Sequence, residues 1–142
     1  MRFLCVYKPA REEGVPPTQD EMARMGKLIE EMTKAGVLLS TEGCLPSSKG
    51  ARIRVSGGRI TVIDGPFAEA KELIGGFAII EAKSKAEAIE LTRRFLEVAG
   101  DGESEIRQLN EAGAFPSEIV PPVDAACEHA WREQPQHEGT EA

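Results

Sequence analysis

Two hydrophobic periods divide this chain into strands and helices. Arg2 to Tyr7 is β-prone and apolar on both faces. A loop with Pro9, Gly14, Pro16 and Pro17 follows. From Thr18 the period changes. Met22, Met25, Leu28, Ile29 and Met32 recur at three- and four-residue steps, which predicts one apolar stripe on a helix. Thr18 and Glu21 have the spacing of a capping box, and Ala35-Gly36 supplies a stop. Val37 to Ser40 reads as a short strand. A polar loop, Gly43 to Gly50, leads into a hairpin of Ala51–Val55 and Arg59–Asp64, turned by Ser56-Gly57-Gly58. Ile74 to Ile80 is a further strand with few polar residues on either side. Ser84 and Glu87 suggest a second capping box. Ala88, Leu91, Thr92, Phe95 and Ala99 give a second helix its apolar side, and Gly100 stops it. Ser104 to Leu109 completes the pattern as a last strand.

The order β-α-β, hairpin, β-α-β predicts an α+β sandwich of the ferredoxin-like type, with an antiparallel sheet and two helices on one face. Two helices cover only one face of such a sheet. Strands 2–7 and 74–80 are apolar on both, so a second copy packed face to face is expected to cover the other, giving a two-fold homodimer.

With 142 residues the chain has room for one ordinary core. No apolar run approaches a membrane span, and the N-terminal run is too short for a signal peptide, so no membrane partner and a cytoplasmic setting are expected. Cys5, Cys44 and Cys127 are far apart and form no metal or disulfide pattern. The net charge of −7 is concentrated at one end. From Glu111 onward there are seven acids and one base, Arg132, whereas residues 1–110 hold 17 acids and 16 bases. No basic footprint for nucleic acid exists. The domain is expected over 1–115. Residues 116–142 read as an acidic arm with Pro116, Pro121 and Pro122, a short helix near 124–132 able to dock Trp131, and a disordered end.

The chemistry-bearing residues cluster around the hairpin. Asp64-Gly65-Pro66-Phe67 ends a strand with an acid, a glycine and a proline. Asp64 has two readings. As a helix cap it accepts the N–H of Phe67 or Ala68. As a base it shares the apolar face of Ile60 and Val62, where loss of water raises a carboxyl pKa toward neutrality. Arg54, on a strand face with Arg52, suits a carboxylate or phosphate, or a pairing with surface acids. Ser47 and Ser48 suit an anion-binding loop or an ordinary turn. Lys71 belongs either to a solvated charged segment or to a lid that meets an anionic substrate.

These motifs resemble the YCII-related family, in the branch called the DGPF domain. The stretches that carry the resemblance are Val37–Gly43, Pro46–Arg54, Thr61–Phe77 and Glu105–Leu109, within residues 1–115. The resemblance implies a dimeric α+β barrel. Some relatives are thought to use a His-Asp pair in a cleft, and a dehydrochlorinating enzyme is among them. Here the aspartate is present as Asp64, while His129 and His137 both lie in the tail. The expected function is a homodimer that binds a small, anionic molecule in a cleft near Asp64. Cofactor-free proton transfer of the lyase or isomerase type is one form of it, and a non-catalytic binding or regulatory module is the other. No cofactor and no metal are expected.

Overall fold

The computed structural model describes residues 1–67 and 73–111. The chain divides into two units, Met1–Leu109 and Asn110–Ala142, and the fold below is that of the first. The expected arm, its helix, Trp131 and Cys127 lie outside the described residues.

The elements are β1 (Arg2–Pro9), α1 (Gln19–Lys34), β2 (Leu38–Gly43), β3 (Ala51–Ser56), β4 (Arg59–Asp64), β5 (Gly76–Glu81), α2 (Lys85–Ala99) and β6 (Gly102–Gln108). Four strands form an antiparallel sheet in the order β2-β5-β1-β6. Each β-α-β passage therefore skips over a neighbour, which is the ferredoxin-like connection the sequence predicts. The hairpin β3–β4 forms a separate two-stranded sheet inserted between β2 and β5.

Local chemistry sets the helix ends. Thr18 Oγ1 accepts the Glu21 N–H at 3.2 Å, and Glu21 Oε2 accepts the Thr18 N–H at 2.9 Å. The box satisfies two backbone donors that the first turn leaves open. At α2 only half of the expected box forms. Ser84 Oγ accepts the Glu87 N–H, but the Glu87 carboxylate takes the Lys83 N–H instead of the Ser84 one.

Alternation then sorts the strands. Phe3, Cys5 and Ile80 point to the helices and join Leu28 and Met32 of α1 and Ala88 and Leu91 of α2 in one core. The opposite face carries Leu4 and Val6 of β1, paired with Ile79 and Phe77 of β5. Leu4, Val6 and Ile79 are half-buried and Phe77 is exposed. Charged residues border them, with Glu105 and Arg107 opposite Val6 and Leu4, and Glu42 opposite Phe77. The sheet is apolar on both faces, and the helices cover one.

Candidate functional site

Asp64-Gly65-Pro66-Phe67 forms a corner locked onto the preceding loop. The Gly65 N–H donates to the Gly50 carbonyl at 3.0 Å. Gly65 lies flush against the Ser47 carbonyl, and a Cβ there would overlap it. The Gly65–Pro66 peptide is cis. Ser47 Oγ accepts the Phe67 N–H at 3.0 Å and donates to Glu13 Oε2 at 2.6 Å. The Ser47 N–H donates to Glu13 Oε1 at 2.8 Å. The Arg52 guanidinium lies 4.0 Å from the centre of the Phe67 ring.

This geometry bears on one half of the cap reading of Asp64, since Ala68, the other donor that reading names, lies outside the described residues. The Phe67 N–H is taken by Ser47, because the corner folds back onto the Ser47–Lys49 turn and residues 66–67 are not helical. The shared face of Ile60, Val62 and Asp64 is real, since the cross-strand pairs Ala51–Asp64, Ile53–Val62 and Val55–Ile60 place them together. Ile60, Val62 and Asp64 are exposed, and no element among the described residues covers that face. Desolvation of this carboxylate therefore requires a covering partner. Arg54 sits opposite Thr61 on the reverse face of the hairpin, so the fold separates it from Asp64 within one protomer. Ser47 is engaged by Glu13, whose carboxylate opposes an anion at that hydroxyl, while Ser48 is exposed. Lys71 lies outside the described residues.

The ligand-sized space is elsewhere. A cleft of about 620 Å³ opens between the helix-facing side of the sheet and the two helices. Its floor comes from Cys5, Tyr7 and Ala78, and its walls from Met22, Met25 and Ile29 of α1 and Phe95 and Val98 of α2. Tyr7 and Phe95 meet edge to face, with centroids 5.1 Å apart. Gly26 also lines the cleft, and among the described residues no atom comes within 4 Å of where its Cβ would be.

Few polar groups enter this apolar space. Thr92 Oγ1 donates to the Ala88 carbonyl at 2.8 Å, which leaves its oxygen to receive the Cys5 thiol at 3.7 Å. Burial pushes the Cys5 thiol pKa up, so it stays protonated. Burial likewise raises the Tyr7 hydroxyl. Ser104 Oγ is buried without a hydrogen-bond partner among the described residues. At the rim, Arg11 reaches Glu21 with both terminal nitrogens, at 3.1 and 3.4 Å. That contact holds the Glu21 carboxyl below its ordinary range, aided by the Thr18 N–H. No cluster of metal-ligating side chains occurs among the described residues.

Reasoning from sequence missed this cleft, although one signal for it is present. Gly26 falls on the apolar stripe, four residues after Met22 and three before Ile29. A glycine inside a helix costs about 0.5–1 kcal/mol against alanine, so its presence on the apolar stripe marks space.

The fold and the cleft define a small α+β protein of the ferredoxin-like type with an apolar, ligand-sized recess between helices and sheet. The chain belongs to the YCII-related domain family, whose model matches residues 1–112. It is similar to Uncharacterized protein R00369 of Rhizobium meliloti (strain 1021), at 36% identity over 84 residues. That match covers 59% of this chain and 64% of the relative, so the chain spans a little under two thirds of the relative's length. Among solved structures it is similar to the 5-chloro-2-hydroxyhydroquinone dehydrochlorinase of Burkholderia phenoliruptrix AC1100 in complex with 2,5-dihydroxybenzoquinone. That likeness has 17% identity and a TM-score of 0.42, over 79% of this chain and 96% of the other. No helix among the described residues is long and apolar enough to cross a membrane.

Proposed function

We propose that this protein is a cytoplasmic homodimer that binds a small, largely apolar molecule in the cleft between its helices and its sheet. The observation that carries this reading is the cleft itself. About 620 Å³ falls in the range of small-molecule sites, and its walls are methionine, isoleucine and phenylalanine. A few polar groups inside set the orientation of a ligand. Ser104 Oγ and the Tyr7 hydroxyl would satisfy one or two hydrogen-bonding groups of that molecule, and a ligand that pairs with Ser104 removes the cost of its unpaired burial. The apolar lining favours a neutral, amphipathic ligand over an anion. Homodimerisation is supported by the sheet face of Leu4, Val6, Phe77 and Ile79, which no helix among the described residues covers.

Gly26→Phe tests the cleft reading, because it fills the recess from the α1 wall. Ligands found by thermal shift on the full chain should stabilise the native protein and lose that effect in the variant. A hit that stabilises both proteins equally binds elsewhere and removes the cleft from the account.

A second reading, proton transfer at Asp64 with Arg54 holding the substrate's charge, is favoured by the place of Asp64 on the apolar face of the hairpin. It requires a second subunit, both to exclude water from Asp64 and to bring an arginine to its side of the hairpin. Full turnover in Asp64→Asn would rule it out.

A further inference from the structure

We infer that Arg11 and Tyr7 read the polar end of the cleft's ligand, and that this end is a neutral carbonyl held at the mouth while the apolar body lies inward. This deepens the cleft reading and rests on it.

The cleft has a closed end and an open one. The register puts Phe3, Ile80 and Leu38 side by side at one end of the sheet, and Tyr7, Gly76, Gly43 and Ser104 at the other. Helix α1 runs back over the sheet, and burial along its stripe grades accordingly. Met22 is 60% exposed, Leu28 7% and Met32 6%. The deep end is therefore the Phe3–Met32 end, and the mouth lies where Arg11 and Glu21 line the space. Glu42 is the other charged residue of the lining, and its pairing with Phe77 turns its side chain to the opposite face of the sheet.

Glu21 holds Arg11 in place. Its Oε1 accepts one terminal nitrogen of Arg11 at 3.1 Å, and its Oε2 accepts the other at 3.4 Å together with the Thr18 N–H at 2.9 Å. The helix cap thus fixes the carboxylate, which fixes the guanidinium in turn. This contact engages only part of the N–H fork of Arg11. The remaining N–H groups, like the Tyr7 hydroxyl, have no hydrogen-bond partner among the described residues. Burial raises the Tyr7 pKa and the Arg11 charge opposes that rise, so the two groups lie within reach of one another's field.

The mouth thereby offers donors, while both Glu21 oxygens are already taken. A ligand group that accepts hydrogen bonds is recognised there, and an ammonium meets an engaged carboxylate. Charge decides between a carbonyl and a carboxylate. Residues 11–21 set Arg11 against Glu12, Glu13, Asp20 and Glu21. An anion is repelled by that surplus of acids, and a neutral carbonyl keeps the hydrogen bonds without the repulsion.

The test titrates the full chain with acetophenone, ethylbenzene, benzylamine and benzoate, followed by methionine methyl NMR. The probes share a benzene ring and differ in carrying a carbonyl, no polar group, an ammonium or a carboxylate. Acetophenone should bind tightest and exceed ethylbenzene at least roughly fivefold, as one net hydrogen bond gives. Arg11→Met keeps an apolar stem and leaves the Thr18–Glu21 cap intact, and Tyr7→Phe keeps the ring against Phe95. In both variants the preference should shrink toward parity while ethylbenzene binds as in the wild type. Parity of acetophenone and ethylbenzene in the wild type, or tightest binding of benzylamine or benzoate, overturns the inference and leaves the cleft standing. A preference that survives in Arg11→Met, or an equal loss for both probes in the variants, also overturns it. Absence of binding by every probe overturns the cleft reading as well.

Discussion

The Phe67 amide donates to the Ser47 hydroxyl at 3.0 Å, across twenty residues of sequence. That bond ties the Asp-Gly-Pro-Phe corner to the Ser47–Lys49 turn and decides what the corner does. It is the joint that holds the hairpin to the body. Ser47→Ala removes an acceptor from Phe67 and a donor from Glu13, and should lower stability by about 1–2 kcal/mol. Gly65→Ala forces a Cβ into the Ser47 carbonyl and should cost more, about 1–3 kcal/mol. Urea unfolding of the two variants checks the order. A Gly65→Ala protein as stable as wild type would show that the corner packs differently.

The two described cysteines should differ sharply in reactivity. Cys44 is exposed, whereas Cys5 is buried with its thiol pKa raised by desolvation. Peptide mapping after brief alkylation at neutral pH should show Cys44 modified at least roughly tenfold faster than Cys5, because the thiolate is the reacting form. Equal rates would place Cys5 outside the core.

The Arg11–Glu21 pair at the cleft rim should leave a mark on the acid limb of stability. The Glu21 carboxyl is lowered by Arg11 and by the Thr18 N–H, so the unfolded chain takes up its proton first as pH falls. The contribution is complete above the ordinary glutamate range and is lost as pH drops through the lowered native value. Tm measured between roughly pH 5 and pH 3 should fall less steeply in Glu21→Gln than in wild type. Parallel curves would mean that the contact does not persist in solution.

Gly26→Ala should raise stability by about 0.5–1 kcal/mol, since it removes the glycine penalty and its methyl meets open space. Thermal or urea unfolding reads the change. A loss of stability would mean that the α1 wall is packed rather than open.

These residues also show what was legible in the sequence. The helix starts at Thr18 and Ser84, the stops at Gly36 and Gly100 and the tight turn at Gly57-Gly58 are local chemistry, and each is found where the pattern places it. The two-sided apolar character of β1 and β5 was legible for the same reason, because a strand period of two needs only neighbours along the chain. The cleft was not legible. Its lining brings together residues of β1, α1, β5 and α2, far apart in sequence. The partner of the Phe67 N–H was hidden likewise. Local spacing offers it Asp64, and the tertiary fold gives it Ser47.

The cleft is the centre of the account, and its methionines report on it. Of the four methionines, Met22, Met25 and Met32 line the cleft, while Met1 lies outside it. Titration of methyl-labelled full-length protein with small amphipathic probes such as phenol and indole, followed by methionine methyl NMR, tests occupancy directly. The account predicts saturable shifts at Met22, Met25 and Met32 with Met1 unmoved. Unchanged methyls across the panel, or a shift at Met1 as large as those at the other three, would contradict it.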